Sequence, residues 1–198
     1  MVEMNQPRSF RWPKSLYYQM GEMGWFRDKR VELLNGEIIE MAPMGTLHLT
    51  GVGRAGRTMM RVFGEAFLIV FPGALDIDGL TELEPDVAVL NVGVDGLASK
   101  RPEDAVLVIE VSDSSLHFDR TIKSYLYAKA GITDYWIVNL NDRAIEVYRD
   151  PTIGSDGSAH YAEIRSYRPG EAIAPLASPE NMIAVSDLLP ADSIESTD

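Results

Sequence analysis

Asp86, Glu110 and Lys123 are the side chains whose types and settings could carry chemistry. Asp86 follows Pro85 at the entry to the apolar run VAVL, and Glu110 interrupts VLVIEV, the next such run. If the two runs are neighbouring strands, their carboxylates converge at one end of a sheet. Two carboxylates in near contact repel, which raises one pKa or recruits a cation, and a hard divalent ion is satisfied by a few oxygens plus water. Such an ion polarises a phosphoryl oxygen and activates a coordinated water, while a lysine beside it adds a compact positive charge that orients or stabilises. Lys123, behind the polar turn SDSS, is the candidate. Taken singly, each residue has a plainer reading: Asp86 as a turn residue, Glu110 as half of a structural ion pair, and Lys123 as an exposed partner of Asp119 four residues earlier.

Weaker candidates surround these three. Glu37 follows an Asn-Gly turn, and His48 stands near the start of a helix; each could line the site or serve only its own element. Arg54, Arg57 and Arg61 fall at i, i+3 and i+7, along one side of that helix. In a chain with 30 acidic and 18 basic residues this stripe is the best available surface for phosphate contacts. Tyr135 and Trp136 lie among aliphatic neighbours and read as core.

These residues need elements to position them. Leu16 to Arg30 reads as a short helix, and RVELLNGEIIEMAP as a hairpin turning at Asn35-Gly36. Apolar residues at three- and four-residue steps predict a helix from His48 to Val70. Strands are expected near Ala74–Asp78, Pro85–Leu90 and Val106–Val111, then a helix over Phe118–Lys129 stopped by Gly131. Tyr135–Leu140 and Ala144–Tyr148 read as paired strands, and Tyr161–Tyr167 as an edge strand. The alternation of strands and helices places the chain in the α/β class.

With 198 residues and 45% hydrophobic content, the chain suits one domain, over residues 1–190, with a disordered tail at 191–198. No run of about 18 apolar residues is present, and the first residues lack the apolar middle of a signal peptide, so a soluble cytoplasmic protein is expected. Cysteine is absent, which leaves oxygen and imidazole as the metal donors. A formal charge of −12 argues against broad, sequence-independent binding to nucleic acid.

The ordered set NGEIIEM, His48, EPDVAVL, VIEVSDSS, DRTIKSYLYAKAGITDYWIV and IEVYR resembles the Uma2 family, also called DUF820, a branch of the PD-(D/E)XK nuclease superfamily. The resemblance runs from about Glu32 to Arg149. It implies a restriction-endonuclease-like fold, a mixed central sheet flanked by helices with an N-terminal hairpin. It implies Asp86 and Glu110 as ligands of Mg²⁺ or Mn²⁺, Ser112 and Asp119 as neighbours lining the site, and endonucleolytic hydrolysis of phosphodiester bonds in nucleic acid. In the superfamily the lysine stands two residues after the acidic residue; here that position is Ser112, and the resemblance implies that Lys123 replaces it. Ser114 stands where many members have proline, and Asn139 where they often have aspartate. A non-catalytic relative that binds nucleic acid or a protein partner is the alternative. A homo-oligomer, such as a dimer covering a sheet edge, is also expected.

Overall fold

The structure, a computed structural model, describes residues 8–92 and 101–191. All but the first residue of the tail expected to be disordered lies outside them. The chain groups into two compact units, one taking the sequence up to Pro43 together with Asp76–Leu83, the other taking Met44–Leu75 and the sequence from Glu84 on.

In the first unit, Asn35 and Gly36 both take positive φ, 49° and 78°, which closes a two-residue hairpin between β1 (Val31–Leu34) and β2 (Glu37–Glu40). With β4 (Leu75–Asp78) and β5 (Thr81–Leu83) they form a sheet in the order β2-β1-β5-β4. Helix α1 (Lys14–Glu22) is shorter than the expected Leu16–Arg30, because the chain turns at Gly24, whose φ is 80°.

The second unit is built on a six-stranded sheet in the order β10-β9-β8-β7-β6-β3. Its strands are β3 (Leu68–Val70), β6 (Val87–Leu90), β7 (Ala105–Ser112), β8 (Asp134–Asn139), β9 (Ala144–Ile153) and β10 (Ala159–Tyr167). Every neighbouring pair is antiparallel except β7 and β8, which makes the sheet mixed. Parallel neighbours need a crossover. Here it consists of α3 (Leu116–Phe118), one turn of π-helix (Asp119–Lys123) and α4 (Ser124–Lys129), closed by Gly131 at φ 79°.

Helix α2 (Thr46–Phe63) stops short of the expected Val70. Gly64, at φ 58°, ends it, and Leu68–Val70 becomes an edge strand in register with Leu90 to Ala88. The apolar period continued through the break because a strand buried on one face also needs apolar residues. A short hairpin of β11 (Ala172–Ile173) and β12 (Ile183–Ala184) leads into α5 (Val185–Leu188).

Strand register assigns the sheet's two faces. Val87, Ile109, Trp136 and Val147 follow one another across β6 to β9 and pack with Ala55, Met59 and Phe63 of α2 and Val185 and Leu188 of α5. Trp136 and Tyr135 are wholly buried, as core residues should be. The opposite face carries Val108, Tyr135 and Tyr148 in register, and there the ring of Tyr127 from α4 lies 4.9 Å from that of Tyr135. Helical segments thus flank the sheet on both sides. Among the described residues no helix is long and apolar enough to cross a membrane.

Candidate active site

The register of β6 on β7 pairs Val87 with Ile109, and one further step puts Asp86 opposite Glu110. Pro85 cannot donate to the ladder, so the strand starts late and Asp86 uses its side chain where backbone would otherwise pair. Its Oδ2 accepts from the Val111 N–H at 2.8 Å, and its Oδ1 lies 3.1 Å from Nε2 of His48, in the first turns of α2. Burial by itself would raise the pKa of Asp86. The hydrogen bond and charge of His48, the Val111 N–H and the charge of Lys123 outweigh it, so the carboxyl sits below its ordinary value. Asp86 is therefore a buried carboxylate that stays ionised.

Glu110 lies inside β7, also buried. Its Oε1 accepts from Nζ of Lys123 at 2.8 Å and from the hydroxyl of Tyr127 at 2.7 Å. The Lys123 and Glu110 side chains are each only 3% exposed. Removing two charges from water this completely is repaid only by close, directed contacts. The plain reading of Lys123 as a surface partner of Asp119 does not describe this burial. The Asp119 carboxylate accepts from the hydroxyls of Ser112, at 2.7 Å, and Ser115, at 2.6 Å, and its carbonyl accepts from Tyr135 at 3.1 Å. Ser112 thus anchors the turn that carries Lys123. The π-turn buries Asp119 and Lys123 together against the sheet.

A further carboxylate stands in the same row. Register carries Glu110 across to Ile137 on β8 and on to Glu146 on β9. Arg120, three residues before Lys123, grips Glu146 with both arms of its guanidinium, Nη2 to Oε1 at 2.6 Å and Nε to Oε2 at 3.0 Å. Asn139 and Tyr148 also donate to this carboxylate, at 2.7 and 3.0 Å. Burial pushes the Glu146 pKa up, but these donors prevail and hold it below the usual range. The sequence reading missed both Tyr127 and this group. Signals existed: Tyr127 is one helical turn beyond Lys123, and Glu146 interrupts an apolar strand just as Glu110 does.

Three hydrogen-bonded groups result: His48 with Asp86, Lys123 and Tyr127 with Glu110, and Ser112 and Ser115 with Asp119, and the charge of Lys123 also acts on Asp86. Glu37 belongs to the first unit, exposed and 3.7 Å from Arg11. The arginine stripe is largely committed within the chain: Arg54 donates to the Ser186 carbonyl at 2.8 Å, and Arg61 pairs with Asp187 at 2.9 Å. Arg57 is exposed.

The donor chemistry fits a hard divalent cation, because Asp86 and Glu110 are buried carboxylates that both feel the charge of Lys123, and Asp86 is held ionised. Among the described residues no three carboxylate or imidazole groups cluster closely enough to hold an ion by themselves. Water and substrate oxygens would complete the shell.

A crystal structure of "a putative nuclease belonging to DUF820" from Anabaena variabilis ATCC 29413 superposes with a TM-score of 0.61 at 14% identity, covering 81% of this chain and 90% of that one. No curated protein matches. At that identity the likeness concerns the fold, which is the mixed α/β architecture expected from the sequence. Residues 16–186 match the family model described as "Uma2: Putative restriction endonuclease". The chain belongs to the Uma2 family.

Proposed function

We propose that this protein is a metal-dependent endonuclease that hydrolyses phosphodiester bonds in nucleic acid. The observation that carries this reading is Lys123 Nζ at 2.8 Å from Glu110 Oε1, with Asp86 and Glu110 flanking the paired residues Val87 and Ile109. Mg²⁺ or Mn²⁺ held by Asp86 and Glu110 would, when bound, polarise a phosphoryl oxygen and lower the pKa of a coordinated water. The chain's own residues do the rest. His48 and the Val111 N–H keep Asp86 ionised and fixed in direction. Tyr127 and Lys123 fix the Glu110 carboxylate from one side. Hydrolysis adds water at phosphorus and breaks one P–O ester bond, leaving an alkoxide that takes up a proton. The ammonium of Lys123 stabilises the negative charge that develops on the phosphoryl oxygens.

The test is a cleavage assay with Mg²⁺ and with Mn²⁺ on plasmid, linear duplex, single-stranded DNA and RNA. Wild type should cut at least one substrate, and Asp86→Asn should lose cleavage together with metal binding measured by calorimetry. Wild type inert on every substrate, or Asp86→Asn binding metal as wild type does, would overturn this reading. An inert wild type would favour a fold kept for binding.

A further inference from the structure

Glu146 and Arg120 play no part in the scheme above, yet Glu146 lies in the Glu110 row of the sheet and Arg120 in the turn that carries Lys123. We propose that the Arg120–Glu146 fork is the positioning device for Lys123, fixing the π-turn on the sheet so that the ammonium reaches Glu110. This rests on the reading of Lys123 as site machinery.

The geometry gives the turn three tethers. Asp119 is held by Ser112 and Ser115, Lys123 ends on Glu110, and Arg120 spans to Glu146. The first holds the entrance of the turn and the last two hold it on one row of the sheet. Ile137 separates Glu110 from Glu146, so the two anchors lie two strands apart, and a line between them fixes the rotation of the turn about its own axis. A guanidinium suits this purpose because its two parallel hydrogen bonds define a direction, which a single ammonium contact does not. The anchor is itself braced. Asn139 and Tyr148 hold the Glu146 carboxylate, and Asn139 Oδ1 in turn accepts the Asp142 N–H at 3.0 Å. Asn139 suits this position, since an amide donates to Glu146 where an aspartate would repel it. The Arg120 side chain is 41% exposed, so its strength as a stabilising ion pair is limited, and its closed bidentate geometry matters more for direction than for energy.

The test reads Lys123 directly and requires no nuclease activity. Full-length wild type, Arg120→Lys, Arg120→Ala and Glu146→Gln are treated briefly with a water-soluble acylating reagent without divalent metal. Modification of Lys123 is quantified by peptide mass spectrometry against exposed Lys129, with thermal midpoints and amide exchange of β7 recorded beside it. Lys123 should label about tenfold faster in Arg120→Ala and Glu146→Gln, as local opening of the turn demands, with β7 exchange unchanged. Arg120→Lys, which keeps the charge but loses the fork, should lie between them and wild type. Should Glu146→Gln fail to fold, the Arg120 series decides alone. Lys123 as protected in Arg120→Ala as in wild type overturns the proposal, as does faster labelling that tracks loss of β7 protection. If wild type cleaves a substrate, Arg120→Ala should lower kcat with KM little changed. If it cleaves none, the labelling result still stands, and the two ideas fail separately.

Discussion

At the scale of single residues, Glu110 and Lys123 are bound to each other's charge. With both side chains buried, removing one leaves the other uncompensated, at a cost of about 3–5 kcal/mol, whereas replacing both by neutral groups of similar shape costs much less. Lys123→Met should therefore lower the urea midpoint sharply, and adding Glu110→Gln should recover most of the loss. A double variant no more stable than the single one would show that the pair carries little of the strain. Glu146 supplies the pH dependence. Its pKa lies below the ordinary 4.5, so it contributes stability above that value, and the contribution fades as pH falls through the lowered folded value. The stability gap between wild type and Glu146→Gln should accordingly be constant near neutrality and narrow below about pH 4.5. Denaturation series from pH 7 down to pH 3 check this; a gap that widens with acid would contradict the sign.

At the scale of elements, the approach of α2 to the sheet is set by Gly51. A Cβ there would come within 2.8 Å of Cγ1 of the buried Val111 and 3.6 Å of Cδ2 of the partly buried Leu140. Gly51→Ala should cost about 1–3 kcal/mol by overpacking. The same shift should loosen the His48 contact with Asp86, since His48 is one turn earlier on α2. Carboxyl NMR should show the Asp86 pKa rising, and an unmoved value would separate the helix position from the site. Element by element, legibility followed local chemistry. Asn35-Gly36 announced its hairpin because only that turn needs two positive φ values in sequence, and Val106–Val111 announced a buried strand. The end of α2 was hidden because Ala66, Phe67 and Val70 keep the helical period while Gly64 breaks the chain. The π-turn was invisible, since two of the groups that hold Asp119, Ser112 and Tyr135, come from β7 and β8 and only Ser115 is local. Glu110 stood out because a carboxylate inside an apolar run is costly, and Asp86 and Lys123 were singled out by the runs and turns beside it. Glu146 obeys the same rule, but its partner comes from the crossover, 26 residues earlier.

At the scale of the whole molecule, the charge of −12 and the internal use of Arg54 and Arg61 limit how many phosphates the surface can neutralise. If nucleic acid is the substrate, binding should be weak and shallow in salt. A log–log slope of no more than about 3 in magnitude is expected, since each neutralised phosphate adds about 0.9 on a duplex. Fluorescence anisotropy of a labelled duplex with the inactive Asp86→Asn variant measures it, and a slope near 8 would demand a basic surface beyond these arginines. The crossover between β7 and β8 also decides which contacts of the candidate site are local in sequence. Glu110, Lys123 and Tyr127 meet within one strand–helix unit, so closing that loop costs little chain entropy. Asp86 and His48 leave the ribosome earlier, yet the Val111 N–H that holds Asp86 is translated 25 residues after it. The contacts of Glu110 are thus local in sequence, and the one that holds Asp86 must wait until β7 has been made.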